Sequence, residues 1–147
     1  MGRGKIVNHR TATGTYALIL RLPRKTVITI GKLGKIGFSG GWYAYVGSAF
    51  GPGGLRARIS RHYRREKTLH WHIDYLREKS EVTEAWITTD DQRLEHRWAG
   101  ILAAGPFSGT PVRKFGSSDC RCISHLFYYC KRLPGNDLKS ALNASVI

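Results

Sequence analysis

The sequence predicts an α+β fold: a small, mostly antiparallel, three-stranded sheet flanked by helices. Three observations carry this expectation. Apolar residues alternate with a period of two over 14–21, 27–30 and 41–47, as in strands with one face on a core. They recur with helical spacing after Gly54, Thr68 and Asp91. Glycine and proline punctuate the joins, most densely at Gly51-Pro52-Gly53-Gly54.

In order, residues 1–12 are basic and aperiodic and read as a leader. Gly14 to Arg21 reads as a first strand, ended by Pro23, and Val27 to Ile30 as a second. Glycines at 31, 34 and 37 favour tight turns or a hairpin. Residues 41–47 form the third strand. After the turn, a basic helix runs to about Lys67, with Leu55, Arg58, Ile59 and His62 on one stripe. Thr68 is expected to cap a second helix over 69–79, carrying His70, Trp71, His72 and Asp74. Glu84 to Thr88 reads as a short strand. Asp90 and Asp91 favour the start of a third helix over 91–104, stopped by Gly105-Pro106. Ser117 or Ser118 is expected to cap a last short helix through Ile123, Leu126 and Phe127. Residues 131–147 read as a tail, leaving 13–130 as the domain.

The 147 residues hold 24 Lys+Arg against 10 Asp+Glu, a formal charge of +14. Such an excess attracts polyanions, nucleic acid first. No stretch could span a membrane, and no helix opposes a basic face to a broad apolar one. The 3 cysteines are odd in number and lie late in the chain, which argues against a disulfide framework. With no secretory signal visible, a cytoplasmic protein with reduced thiols is expected.

Gly14-Thr15-Tyr16, Tyr45-Val46-Gly47 and Leu55-x-x-Arg58-Ile59-x-x-His62 resemble the motifs of the GIY-YIG endonuclease superfamily. The stretches Tyr45-Val46-Gly47-Ser48-Ala49, Gly53-Gly54-Leu55-Arg56, 70–76 and 115–122 are closer still to one uncharacterised branch of it. Members of that branch occur alone or fused to glycosylases of the endonuclease III kind. The resemblance covers roughly residues 12–130 and implies a GIY-YIG-like sheet. The first motif reads Gly-Thr-Tyr, and the interval from Tyr16 to Tyr45 is long for the superfamily. Gly41-Trp42-Tyr43 is rejected as the first motif because Tyr43 shares the strand of Tyr45.

The resemblance implies metal-dependent hydrolysis of DNA phosphodiester bonds, in repair or processing. Tyr16 and Tyr45 would supply hydroxyls, Arg58 a phosphate clamp, His62 a helper and Glu95 the ligand of one Mg²⁺ or Mn²⁺ ion. Glu84, Asp90 and Asp91 are the alternatives to Glu95. A tyrosine titrating near pH 10 is a poor base at neutrality, so a cation beside it is expected to lower its pKa. Arg56, Arg61, Arg64, Arg65 and Lys67 are candidate phosphate contacts. RNA is not excluded as the polyanion, and a protein partner could supply targeting.

Two further constellations remain open. His70 and Asp74, at i and i+4, could orient a base or hold a metal, or simply belong to a capped amphipathic helix. Cys120-x-Cys122-x-x-His125 lacks the two-residue gap of common zinc fingers, so the reading favours buried thiols over zinc. A non-catalytic nucleic-acid-binding module is the alternative to a nuclease.

Overall fold

The computed structural model describes residues 12–65, 67–104, 109–117 and 121–147. The basic leader up to residue 11, the Gly105-Pro106 stop and Ser118, Asp119 and Cys120 lie outside that set.

The chain runs β1 (Gly14–Leu22), β2 (Thr26–Ile30), β3 (Gly34–Phe38), β4 (Gly41–Ala49), α1 (Gly54–Tyr63), α2 (His72–Lys79), β5 (Glu81–Thr88), α3 (Glu95–Ala103), β6 (Thr110–Pro111), β7 (Leu126–Tyr129), α4 (Gly135–Leu142) and β8 (Ser145–Val146). It is an α+β fold. The main sheet has 6 strands in the order β6-β7-β4-β1-β5-β8, and β2 and β3 form a separate 2-stranded sheet. Each of these pairings is antiparallel.

The expected three-stranded sheet is therefore corrected in two ways. Residues 27–30 leave the main sheet and pair with 34–38 as a hairpin, which packs through Ile28, Ile30 and Phe38. Their place beside β1 is taken by β5. The sheet is then extended by β7, β6 and β8, short strands that are hard to see in isolation.

β1 is central and alternates as the sequence predicted. Tyr16, Leu18, Leu20 and Leu22 face one core, with Tyr43 and Tyr45 from β4. Ala17 and Ile19 face a second core, with Ala44 and Val46. α1, α2 and the β2–β3 hairpin contribute to the first core, and α3 and α4 to the second. Trp86 and Trp98 are buried in the second core. Burial on this scale contributes on the order of 4 kcal/mol per tryptophan, as an upper estimate.

α2 starts later than expected. Thr68 is not its cap: the Asp74 carboxylate accepts from the His70 and Trp71 amides at 2.8 and 2.9 Å, which fixes the start at His72. α3 likewise starts at Glu95. Asp90 instead holds a turn by accepting from the Gln92 amide at 2.9 Å.

The helix expected through Ile123, Leu126 and Phe127 is a strand. Leu126-Phe127-Tyr128-Tyr129 lies along β4, where aromatic residues suit a pleated, half-buried surface. Residues 131–147, read as a tail, contain α4 and β8, with Leu138 and Leu142 buried under the sheet.

Candidate active site

Tyr16 and Tyr45 stand on adjacent strands, β1 and β4, with Tyr16 directly opposite Gly47. A methyl group on Gly47 would lie 2.5 Å from the Tyr16 hydroxyl and ring carbon Cζ. Glycine is thus required for Tyr16 to lie flat across β4. Gly14 answers a tighter constraint, since its added carbon would meet the Thr88 carbonyl oxygen at 1.9 Å. Both glycines therefore permit a close approach: Gly47 on β4 to the Tyr16 ring, and Gly14 on β1 to the β5 backbone at Thr88.

The Tyr16 hydroxyl meets His62 Nε2 at 2.6 Å. His62 comes from the apolar stripe of α1 and is fully buried. Burial, with the Lys67 charge adding to it, lowers its imidazole to about 3, so it is neutral at ordinary pH. Among the described residues its buried Nδ1 has no hydrogen-bond partner, a cost commonly tolerated where a group has work to do. The Tyr45 ring stands 6.1 Å from the His62 ring, edge-on.

Arg58 lies one turn before His62. Its guanidinium lies against the Tyr16 hydroxyl, donates to the Ser48 carbonyl at 3.0 Å, and stacks 4.5 Å from the centre of the Trp71 ring. Glu95 arrives from the first turn of α3, positioned in part by the Leu94 amide donating to Thr15 Oγ1 at 3.2 Å. The Ser48 side chain lies beside the Glu95 carboxylate. Arg58 and Glu95 thus share one residue, Ser48, through its backbone and its side chain. Tyr16, Tyr45, Arg58, His62 and Glu95 lie in one neighbourhood.

Burial pushes Tyr16 up and outweighs Arg58, which lowers its pKa as expected. Tyr45 is also raised by burial, with Tyr16 and Glu95 adding to it. Both phenols are protonated at rest. Burial alone would raise Glu95 too, but hydrogen bonds with His125 and Ser48 hold it below the usual carboxylate value.

The alternatives to Glu95 are placed elsewhere. Glu84 accepts from the Trp86 indole at 2.6 Å, and Asp90 and Asp91 are exposed in the turn before α3. Tyr43 donates to the Ser39 carbonyl at 2.6 Å, a supporting role.

Several basic residues expected to face phosphates are engaged within the fold. Arg61 pairs with both Asp74 oxygens at 2.8 and 3.0 Å and lies 4.2 Å from the Trp71 ring centre. Lys67 Nζ donates to three carbonyls at the end of α1, and Arg65 donates to the Glu78 carbonyl at 3.2 Å. Arg56 and Arg64 are exposed, with no side-chain hydrogen bond among the described residues.

The His70–Asp74 pair proves to be structural: the donor is the His70 amide, not its ring. His72 Nδ1 accepts from the Gly116 amide at 2.9 Å, and burial lowers its pKa in keeping with an acceptor. Sequence reasoning missed Ser48, Arg77, the stacking of Arg58 and Arg61 on Trp71 and the Glu95–His125 contact, where His125 Nδ1 lies 2.9 Å from Glu95 Oε2. The Cys-x-Cys-x-x-His spacing singled out His125, though not its partner. Arg77 ties α2 to α1 by donating to the His62 and Tyr63 carbonyls at 2.9 Å each; only its place in the last turn of α2 hinted at carbonyl binding.

The fold and this cluster define an α+β domain built on an antiparallel sheet, with a buried tyrosine–histidine pair beside an arginine and a carboxylate. The chain belongs to the family described as Domain of unknown function DUF123, whose model matches residues 15–146. Comparisons with curated proteins and with solved structures returned no significant match. Among the described residues, no helix is long and apolar enough to cross a membrane.

Proposed function

We propose that this protein is a divalent-metal-dependent endonuclease of the GIY-YIG type, hydrolysing DNA phosphodiester bonds in repair or processing. The observation that carries the reading is the 2.6 Å contact between Tyr16 and His62, with Arg58 against the same hydroxyl. A structural tyrosine needs neither a fully buried imidazole nor a guanidinium at its oxygen.

The roles follow from the chemistry. Arg58 neutralises a phosphoryl oxygen. Tyr16 accepts a proton from the attacking water while passing its own to His62 Nε2. The neutral His62 is free to take that proton. A bound phosphate offsets the burial and cationic neighbours that make His62 a weak base in the free protein. Water adds to phosphorus, the P–O bond to the leaving oxygen breaks, and that oxygen takes a proton from solvent.

Glu95 suits Mg²⁺ or Mn²⁺. It is a hard oxygen ligand, ionised, with its side chain 23% exposed. When bound there, the ion would supply charge compensation for the leaving oxygen. Water and substrate phosphate would complete its shell. The formal charge of +14 supports a polyanionic substrate.

A second reading is a nucleic-acid-binding module without catalysis. The burial of Tyr16, 1% exposed, and Tyr45, 8% exposed, favours it, because water must reach the phenol for cleavage.

The two are separated by Tyr16→Phe and Glu95→Gln, assayed on single-stranded, duplex and branched DNA with Mg²⁺ or Mn²⁺. The nuclease reading expects each change to lower cleavage by about 10²–10⁴-fold with DNA binding retained. If the unaltered protein cuts none of these substrates while binding them, the module reading stands.

A further inference from the structure

The segment around Cys122 carries donor groups that the proposed cleavage does not use. The fold adds another from elsewhere. His96 on α3, Cys122 and His125 each bring one ligand atom to within 4.8 Å of the others. The His96 and His125 rings have centroids 5.8 Å apart and are tilted by 43°.

His125 is held firmly. Its amide donates to the Phe115 carbonyl and its own carbonyl accepts from the Val46 amide, each at 2.9 Å. Its ring Nδ1 is taken by Glu95 Oε2 at 2.9 Å. This is the arrangement that orients metal-binding histidines and raises their basicity. His96 is exposed and Cys122 half-buried, so an ion can enter from solvent.

We propose that His96, Cys122 and His125 bind a Zn²⁺ ion, with His125 oriented by Glu95. Two imidazole nitrogens and one thiolate are a borderline-soft set that suits zinc and not magnesium. Ligand atoms around a tetrahedral zinc ion stand roughly 3.3–3.8 Å apart, given bonds of about 2.0–2.3 Å. The ligand atoms must draw together to that size when the ion binds. Binding releases the Cys122 thiol proton, so affinity falls as pH falls.

The sequence favours buried thiols because Cys120, Cys122 and His125, with Cys130 further on, lack the two-residue gap of common zinc fingers. Of these, Cys120 lies outside the described residues. The decisive ligand, His96, is distant in sequence and brought in by α3. The zinc assignment is independent of the nuclease reading. It does add a consequence to that reading, because fixing His125 also fixes the Glu95 carboxylate.

The test loads the full chain with Zn²⁺, removes excess by dialysis and measures bound metal by elemental analysis. The expected content is about one zinc per chain. Replacement by Co²⁺ should give a thiolate-to-cobalt charge-transfer band. Cys122→Ser should abolish that band and His96→Ala should weaken metal retention, with circular dichroism verifying that both variants fold. Cys130→Ser should retain metal and band. Glu95→Gln should weaken zinc affinity by about 10–100-fold. The assignment is overturned if the unaltered protein retains no zinc, or if the cobalt band survives Cys122→Ser. DNA cleavage enters none of these readouts, so failure here leaves the nuclease reading to its own test.

Discussion

At the scale of single residues, His62 has the most specific environment. In an unfolded chain its imidazole titrates near pH 6.5, whereas burial lowers the folded value to about 3. Between those limits the unfolded state binds the extra proton. The stability that depends on neutral His62 is therefore fully present above about pH 6.5 and erodes as pH falls towards about 3. Asp74 acts in the same direction: burial alone would raise it, but the Arg61 guanidinium and the Trp71 and His70 amides hold it low. The stability it adds is lost at still lower pH, as its carboxylate protonates. His62→Gln removes the first titration and leaves the second. Urea midpoints measured from about pH 8 to about pH 4 should fall less steeply in His62→Gln than in the unaltered protein. Equal slopes would mean that His62 titrates in the fold as it does in the unfolded chain.

At the scale of elements, the β1–β4 pairing makes the site. Tyr16 was legible from its strand, but its partner was not. Strand periodicity tells which face a side chain takes and is silent on register, so only the pairing of Tyr16 with Gly47 shows why the glycine stands there. Gly47→Ala drives a methyl group into the Tyr16 ring. It is expected to cost about 1–3 kcal/mol and to remove most cleavage, because the ring must leave His62. Gly14→Ala should cost more, since its obstacle is the Thr88 backbone and not a side chain. Chemical denaturation of the two variants checks the order; equal, small effects would mean that the strands have room to separate.

The helix stripes were legible in part. Leu55, Ile59 and His62 are buried along α1 as their spacing predicted. The start of α2 was not, because its cap lies three residues inside the helix, at Asp74, and the same carboxylate also holds Arg61 from α1.

At the scale of the whole molecule, charge dominates. The excess of +14 predicts DNA affinity that falls linearly on a log–log plot against salt. The fold distinguishes cations that the sequence treats alike. Arg56 and Arg64 are exposed, whereas Arg61 is tied to Asp74 and Trp71. Replacing both Arg56 and Arg64 by alanine should reduce the salt slope by roughly 2 with little change in thermal stability. Arg61→Ala should instead destabilise the fold, by about 3 kcal/mol, because it leaves the Asp74 carboxylate buried without its partner. Titrations of DNA at several salt concentrations, paired with melting curves, test both expectations. A loss of stability with the double change and none with Arg61→Ala would reverse the assignment.

The sequence by itself determined the α+β class, the alternation of β1 and β4, the stripe of α1 and the identity of the tyrosines, arginine, histidine and glutamate that meet. These follow from local periodicity, residue chemistry and motif resemblance. Only the tertiary structure decided that β5 and not β2 lies beside β1, that residues 135–142 close the second core, that Arg61 and Lys67 serve the fold, and that His96 joins Cys122 and His125. Each of these depends on contacts between residues far apart in the chain. Such contacts are set by strand register and by which buried charges find partners, and neither leaves a periodic trace in the sequence.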